Sequence, residues 1–281
     1  MLPPQPHILM CPPDYFGIEY EINPWMRRSR PSDPEVAAGQ WTALRELLEQ
    51  CGAQISLMDP VPGLPDLVFT ANAALVYRNL ALLSHFRHEV RQREVPHFTQ
   101  ALERLGFQAE AVPQDMYFEG AGDALFCGDT LCAGYRIRSD VRGHQWIGQR
   151  LGVRVIAVEL VDSYYYHLDT CFCPLAEGLA IYHPPAFDDY GRRALAGAVD
   201  ELIPIDADEA TRFACNAVVV GRNVVTNTGC RRLHAELRRR GFEPHETPLD
   251  EFVKSGGSAK CLTLRLDGEE AAAWKRAAPQ A

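Results

Sequence analysis

Residues with acidic, amide, imidazole or thiol side chains recur along this 281-residue chain, each time immediately before a short strand-like segment. In chain order they are Asn72, Glu119 with Asp123, His167 with Asp169, Cys215 with Asn216, and Cys261. A thiol can supply a nucleophile, an imidazole can transfer protons, and carboxylates can bind a cation. If the fold brings these side chains together, they form a pocket suited to covalent chemistry on a cationic ligand.

Four strand–turn–strand units follow these polar residues. Their starts are spaced 46–50 residues apart, and the units span residues 73–84, 123–134, 170–182 and 216–227. The turns fall at 78–79, 128–129, 176–178 and 221–223, where residues that tolerate positive φ are found. Helix-like stretches that end at glycine follow the hairpins, most clearly at 96–106 and 231–241. The regular spacing predicts a repeat architecture.

The two ends of the chain contain the parts of a fifth unit. Strand-like runs at 7–11 and 54–57, with a helix at about 35–51 between them, have no hairpin before them, and the run 261–266 has no partner after it. Joining the ends would complete a unit whose leading polar residue is Cys261. Equivalent strand ends in a closed array point toward one axis, so we expect the leading residues to meet in a central pocket.

Cys261 is predicted to be a nucleophile rather than a core thiol. It follows the glycine-rich run 254–260, which is mobile by composition and able to close over a ligand. Lys254 and Lys260 are near it in sequence, which would favour the thiolate. The proline-rich segment 12–34 has no sustained periodicity, and its aromatic residues favour a packed flap.

His167 and Asp169 are two residues apart on an extended segment and so lie on one face. An imidazole beside a carboxylate suits proton transfer next to a bound cation. The alternative is a metal site that also uses Cys171 and Cys173. We do not favour it, because no typical zinc spacing is present. The sequence therefore predicts neither a metal nor a cofactor.

Glu119 and Asp123 bracket three small residues. Such a turn leaves room for a planar guanidinium group, which could form paired hydrogen bonds with the two carboxylates.

Composition restricts the class of partner. The net charge of −9 argues against binding to nucleic acid or anionic membranes and is compatible with a cationic ligand. Nine cysteines without a CxxC pair are typical of reduced thiols in a cytoplasmic protein. Because no apolar run approaches the ~18 residues that span a bilayer, we expect neither secretion nor membrane insertion. We expect residues 1–281 to form a single domain, and the formation of homo-oligomers stays open.

Four motifs, in order, carry a family resemblance: 69–72 (FTAN), 118–123 (FEGAGD), 167–170 (HLDT) and 256–261 (GGSAKC). They resemble those of the guanidine-modifying hydrolases of the amidinotransferase, or pentein, superfamily, which includes arginine deiminase and dimethylargininase. Residues 10–14 and 22–26 make the arginine dihydrolase domain of cyanobacterial proteins the most similar. The resemblance implies an α/β fold, the five-bladed propeller of ββαβ repeats around a central active site. It also implies that this chain lacks the extra C-terminal domain that some relatives carry.

The resemblance also implies roles for individual residues. Cys261 attacks the guanidinium carbon, His167 protonates the departing amine and then activates water, and Glu119 orients His167 and the substrate. Arg91 and Arg138 look like the arginines that hold the substrate α-carboxylate. The full set of implied substrate-binding residues is Asn72, Asp169, Asp123, Asp66, Asn23, Arg91 and Arg138.

Asn72 is the informative departure from typical arginine deiminases, whose FTxx motif ends in aspartate. An amide can both donate to and accept from the neutral ureido group of citrulline, so citrulline could be retained and attacked again. We therefore expect a small-molecule substrate, arginine or a methylated arginine, and most directly an arginine dihydrolase that yields ornithine, ammonia and carbon dioxide. The alternatives are dimethylargininase, arginine deiminase, an amidinotransferase, or a protein that binds arginine without turnover.

Overall fold

The computed structural model describes residues 5–268, which contain fifteen strands in five three-stranded sheets. The strands are β1 (His7–Met10), β2 (Gln54–Leu57), β3 (Ala74–Tyr77), β4 (Leu80–Leu83), β5 (Gln108–Ala111), β6 (Ala124–Cys127), β7 (Thr130–Tyr135), β8 (Arg154–Glu159), β9 (Phe172–Ala176), β10 (Leu179–Tyr182), β11 (Glu201–Pro204), β12 (Val218–Val220), β13 (Asn223–Asn227), β14 (Glu243–Thr247) and β15 (Leu264–Arg265).

Helices connect the strands. The α-helices are α1 (Pro34–Gln50), α2 (Glu89–Gln92), α3 (Val95–Arg104), α4 (Val141–Leu151), α5 (Asp189–Ala198), α6 (Ala207–Ala210), α7 (Arg231–Arg239) and α8 (Asp250–Val253). Short 3-10 helices occupy Pro65–Val68, Thr70–Asn72, Gly120–Gly122, Ser163–Tyr165, Leu168–Thr170 and Pro184–Ala186. No helix within residues 5–268 is both long enough and apolar enough to span a bilayer.

Each unit has the order strand, strand, helix, strand. In the first unit, β3 pairs antiparallel with β4, and α3 leads to β5, which pairs parallel with β4. The same pattern holds for β6–β8 around α4, β9–β11 around α5, and β12–β14 around α7. A parallel neighbour needs such a crossover, whereas an antiparallel one needs only a tight turn. The predicted ββαβ repeats are confirmed.

The chain ends form the fifth unit, as predicted. β15 pairs antiparallel with β1, through Ile8 with Arg265 and Leu9 with Leu264, and β1 pairs parallel with β2 after α1. The five units together make the five-bladed α/β propeller that the sequence predicts.

The hairpin turns are tighter than predicted in two units. The third turn consists of Glu177 and Gly178, and the fourth of Gly221 and Arg222, because β9 continues to Ala176 and β13 begins at Asn223. Both glycines have φ near +60° to +70°, the conformation that two-residue hairpin turns require. The first turn places Arg78 at φ 56°.

Burial explains which strand faces the axis. The first strand of each hairpin is buried along almost its whole length, whereas the third strands are partly exposed. Strands that are apolar on both faces belong at the centre of such an array, since they pack against neighbours on both sides. The residues just before these inner strands therefore converge at one end of the axis.

Gly120 sits where the first two units meet most closely. Its φ is +61°, and a Cβ added there would lie 2.8 Å from the Ala71 carbonyl oxygen and 2.9 Å from the Ala74 nitrogen. Gly152, at the end of α4, has a similar φ of +67° but open space around the same position. A comparison of substitutions at the two glycines therefore separates the cost of the left-handed conformation from the cost of close packing.

We predict that Gly120→Ala destabilises the protein more than Gly152→Ala does. Both substitutions cost about 1–2 kcal/mol for the left-handed conformation, and Gly120→Ala costs about 1–3 kcal/mol more for the collision with backbone. Denaturant unfolding of both variants measures the difference. Equal losses would show that the first two units are not packed this tightly.

Candidate active site

Cys261 lies in the turn before β15 and is buried. Its thiol donates to Asp169 Oδ2 at 3.5 Å, and the side-chain Nδ2 of Asn216 donates to its Sγ at 3.1 Å. Asn216 Oδ1 accepts from the backbone nitrogens of Cys261 and Ser258, both at 3.1 Å. The candidate nucleophile is thus held by residues from the third and fourth units.

The predicted electrostatic setting of the thiol is wrong. Burial raises the pKa of Cys261 well above its ordinary value, and the negative charge of Asp169 raises it further. Lys254, expected to favour the thiolate, instead bonds with its Nζ to both carboxylate oxygens of Glu251, each at 2.8 Å. These surroundings therefore favour the protonated thiol.

His167 and Glu119 form a buried pair. Nε2 of His167 lies 2.8 Å from Glu119 Oε2, and the same oxygen accepts from Arg138 Nη1 at 2.9 Å. Burial lowers the pKa of His167 to about 4, so the ring is neutral and donates its Nε2 proton to Glu119. Burial opposes ionisation of Glu119, but Arg138 and the hydrogen bond from His167 outweigh it and lower the pKa of Glu119. The prediction that Glu119 orients His167 agrees with this geometry.

The second ring nitrogen of His167 is then a proton acceptor. Nδ1 has no hydrogen-bond partner within residues 5–268 and lies 3.4 Å from the point where a Cβ on Gly122 would stand. Asn72 Nδ2 lies even nearer to that same point. The lack of a side chain at Gly122 leaves room for both groups.

Asp123 accepts hydrogen bonds from neighbouring protein groups and does not face the pocket. Its Oδ2 accepts from Ser139 Oγ at 2.6 Å, and its Oδ1 accepts from the backbone nitrogen of Leu168 at 3.0 Å. Burial raises the pKa of Asp123 well above its ordinary value. The paired cradle for a guanidinium predicted from Glu119 and Asp123 is not formed, because both carboxylates turn toward protein donors.

Arg91 and Asn72 form a second buried cluster. Arg91 binds Glu94 at 2.8 Å and lies 3.8 Å from Asp66, and its Nη1 donates to Asn72 Oδ1 at 2.9 Å. A guanidinium only donates hydrogen bonds, so the amide oxygen of Asn72 must face Arg91 and its NH₂ group must face Gly122. Burial raises the pKa of Asp66, and it raises that of Glu94 to about 7.

The flap, residues 12–34, is packed over this region as predicted. Asn23 Nδ2 donates to the Ser255 carbonyl at 3.0 Å, and Arg138 Nη2 donates to the Ile22 carbonyl at 3.1 Å. Trp25 Nε1 donates to the Tyr164 carbonyl at 2.7 Å. Arg138 therefore links the flap to Glu119 and His167.

The glycine-rich run does not behave as the second flap that composition favours. Residues 255–260 are buried, and the Tyr166 hydroxyl donates to the Gly256 carbonyl at 2.7 Å. A Cβ on Gly257 would lie 2.5 Å from the ring of Phe69. These glycines permit close packing around Cys261.

A pocket with about 260 Å³ of empty space connects the two clusters with Cys261. Its lining residues are Ile22, Asn23, Met26, Asp66, Phe69, Asn72, Arg91, Arg138, Tyr166, Ser255, Gly257 and Cys261. Six of the ten residues singled out from the sequence line it, Asp169 contacts Cys261, and Glu119 and His167 lie behind it. Asp123 is the residue that the structure does not bring to the pocket.

The alternative metal cluster is not assembled. The thiol of Cys171 donates to backbone carbonyls of His167 and Leu168, and that of Cys173 donates to those of Pro174 and Ala217. No group of three or more His, Cys, Asp or Glu side chains in the described part of the chain is arranged to hold a metal ion.

Asn216 is the residue whose importance the sequence did not reveal. Its position before the fourth hairpin places it at the central pocket, but nothing in its sequence surroundings predicts that its amide bonds to the thiol. The only available signal was its equivalence to the other leading residues.

A family model described as N,N dimethylarginine dimethylhydrolase, eukaryotic, matches residues 12–267. This range includes the flap and every residue that lines the pocket.

Two relatives show the range of the similarity. The chain is 46% identical over 264 residues to the bifunctional arginine dihydrolase/ornithine cyclodeaminase ArgZ of Synechocystis sp., covering 92% of this chain and 37% of ArgZ. It is 37% identical over 257 residues to the N(G),N(G)-dimethylarginine dimethylaminohydrolase of Mycobacterium tuberculosis, covering 92% of this chain and 84% of that protein. The chain therefore spans little more than a third of the length of ArgZ.

A solved structure matches nearly the whole chain. The N-terminal domain of ArgZ, an arginine dihydrolase from cyanobacteria, was crystallised as a cysteine-to-serine mutant bound to substrate. It aligns with a TM-score of 0.90 and 44% identity, covering 94% of this chain and 98% of that domain. The predicted fold is confirmed.

We predict that Asp169→Asn makes Cys261 easier to deprotonate. The carboxylate raises the pKa of the thiol, so its neutralisation should lower that pKa by about one unit or more and speed alkylation at a fixed pH roughly tenfold. Iodoacetamide labelling across a pH series, read by mass spectrometry of the Cys261 peptide, measures this. Cys51, which is half-buried at the C-terminal end of α1, serves as the internal control. An unchanged pH dependence at Cys261 would contradict the assignment.

Proposed function

Because this chain belongs to the N,N-dimethylarginine dimethylhydrolase family, we propose that it hydrolyses the guanidino group of L-arginine, as an arginine dihydrolase. The observation that carries the proposal is the pocket that places Cys261, Asn72 and two arginines around one small space. The similarity to ArgZ, an arginine dihydrolase over the matched domain, supports this choice of substrate.

The pocket has complementary ends for an amino acid with a cationic side chain. Asp169, beside the thiol, attracts the guanidinium, and Arg91 and Arg138 are positioned for the α-carboxylate. Both arginines are already paired with buried carboxylates, so they are held in place before substrate arrives. Asn23 and Asp66 line the same space.

The substrate itself favours ionisation of the thiol. A guanidinium next to Sγ adds a positive charge that opposes the effects of burial and Asp169 on the pKa of Cys261. Sγ then bonds to the guanidinium carbon and one C–N bond breaks. The proton from the thiol passes through His167 to the departing nitrogen, which leaves as ammonia. A thiouronium remains bound to Cys261.

Hydrolysis releases the first product. Nδ1 of His167 accepts a proton from water, whose oxygen bonds to the thiouronium carbon, and the C–S bond breaks to give citrulline and the free thiol. Glu119 stabilises the imidazolium formed in both steps through its contact with Nε2. Arg138 keeps Glu119 ionised.

Asn72 decides whether citrulline is attacked in turn. Since Arg91 holds its oxygen, the amide presents N–H donors to the pocket. The oxygen of a ureido group accepts such a hydrogen bond, whereas a guanidinium has only donors to offer. A second attack by Cys261 releases another ammonia, and water then yields the carbamate of ornithine, which loses carbon dioxide. The donor at Asn72 thus favours the second cycle.

Dimethylarginine hydrolysis is the second candidate. The family match and the 37% identity to the Mycobacterium tuberculosis enzyme, of which the chain covers most, favour it. The covalent steps would be the same, with dimethylamine as the leaving group. We further propose that the protein works in the cytoplasm, because nine cysteines without a CxxC pair are typical of reduced thiols.

Product analysis tests the proposal. We predict that incubation with arginine gives ornithine, and that Cys261→Ser lowers turnover on the order of 10³-fold or more while arginine binding stays measurable by calorimetry. Accumulation of citrulline would assign a deiminase. Consumption of dimethylarginine alone would assign the second candidate, and full turnover by the serine variant would contradict the covalent mechanism.

Replacement of Asn72 by aspartate tests the end point of the reaction. The carboxylate cannot donate to the ureido oxygen, so citrulline turnover should fall by about 10–100-fold, while arginine is still consumed and citrulline accumulates. Chromatography of both products, with arginine and citrulline as separate substrates, measures this. If the variant still converts citrulline to ornithine at the parent rate, Asn72 does not control the second cycle.

A further inference from the structure

We propose that Asn216 is a further catalytic residue: its side-chain amide donates to Cys261 Sγ, stabilises the thiolate and fixes the sulfur beside Asp169. The proposal rests on the proposed function for the identity of the nucleophile. In this proposal the amide of Asn216 offsets burial and the negative charge of Asp169, both of which disfavour the thiolate.

The amide of Asn216 is fully buried and uses every hydrogen-bonding position it has. Nδ2 donates to Cys261 Sγ and to the backbone carbonyl of Asp169, each at 3.1 Å. Oδ1 accepts from the backbone nitrogens of Cys261 and Ser258, each at 3.1 Å. These four hydrogen bonds hold the Asn216 amide in one position.

Its orientation follows from the partners alone. Backbone N–H groups only donate and a backbone carbonyl only accepts, so the oxygen must face Cys261 and Ser258 and the nitrogen must face Asp169. A flipped amide would bring a donor against two donors and an acceptor against a carbonyl. Nδ2 is therefore the atom that meets Sγ, and it presents a fixed N–H to the developing thiolate.

The main chain reinforces this arrangement. The Asn216 carbonyl accepts from the backbone nitrogen of Lys260 at 3.2 Å. The turn that carries the nucleophile in the fifth unit is thus joined to Asn216 of the fourth unit, which also bonds to Asp169 of the third. One residue sets the relative positions of groups from three units.

The surroundings of Sγ explain why such a donor is needed. Asp169 and Tyr166 both interact electrostatically with the thiol, and Asp66, Arg91 and Arg138 line the same pocket. Burial raises the pKa of Tyr166 well above its ordinary value, so that it stays neutral. The groups that favour the thiolate are the backbone N–H of Ser258 and the amide of Asn216. Preorganised donors of this kind stabilise charge as it forms.

Asn227 offers a matched control. It ends β13 of the same unit and is equally buried. Its Oδ1 accepts from the backbone nitrogens of Thr228 and Leu249 at 2.8 and 3.0 Å, and its Nδ2 donates to the Arg212 carbonyl at 3.1 Å. It thus resembles Asn216 in its backbone contacts but bonds to no thiol.

The experiment compares Asn216→Ala with Asn227→Ala in the full chain without substrate. Iodoacetamide labelling of the Cys261 peptide across a pH series should shift to higher pH by about one unit or more in Asn216→Ala, a loss of roughly tenfold in rate at a fixed pH. Asn227→Ala should leave the profile of Cys261 unchanged even if it lowers stability. Coincident profiles for the two variants would overturn the proposal.

A second variant covers the case in which Asn216→Ala does not fold. Asn216→Asp keeps oxygens for the N–H groups of Cys261 and Ser258 but cannot supply both donors of Nδ2, so the labelling profile should again shift upward. With arginine, kcat should fall about 100-fold while KM changes little, because Asn216 does not line the pocket. An effect on KM alone would reduce Asn216 to a structural role. The labelling arm involves no arginine, so it decides the proposal even if the proposed substrate is wrong.

Discussion

Carboxylates outnumber guanidinium groups at the buried end of the propeller axis. The carboxylates are Asp66, Glu94, Glu119, Asp123 and Asp169, and the guanidinium groups are Arg91 and Arg138. A buried charge is stable only if it is paired and hydrogen-bonded, and otherwise it takes up or loses a proton. Glu119 is paired and stays ionised, whereas burial raises the pKa values of Asp66, Glu94 and Asp123. Buried carboxyl groups here therefore keep a proton unless a cation pairs with them, and under the proposed function the guanidinium of the substrate is such a cation.

The need to pair buried charges also connects separate parts of the fold. Arg138 neutralises Glu119, bonds to the flap at Ile22 and lies with its guanidinium carbon 4.5 Å from the centre of the Tyr166 ring. Tyr166 in turn bonds to Gly256, in the run that leads to Cys261. Arg138 thus links the flap, the Glu119–His167 pair and the run that leads to Cys261. A change in the position of the Arg138 side chain would therefore alter contacts in all three of these parts.

The sequence carried the repeat pattern in full, because alternating hairpins and amphipathic helices are local features. Convergence of Cys261 with Asp169 and Asn216 also followed, since it depends only on equivalent positions in the repeats. The directions of the hydrogen bonds at the site could not be predicted from the sequence. Asp123 turns toward Ser139 and Leu168, and Lys254 turns toward Glu251 of the short helix that it follows, because partners that the sequence pattern does not single out compete for each charge. The expectation that lysines near in sequence lower the pKa of Cys261 was therefore wrong, since its pKa is raised.

The pairing of β15 with β1 has a consequence for synthesis. Ile8 leaves the ribosome long before its partner Arg265, so the fifth unit cannot close while the chain is growing. Four units can form earlier, but the strand that follows Cys261 has no neighbour until the N-terminal segment is recruited across the full length of the chain. Such a distant contact forms slowly. Pairing of β15, and with it the placement of the turn that carries Cys261, therefore has to wait until the whole chain has been made.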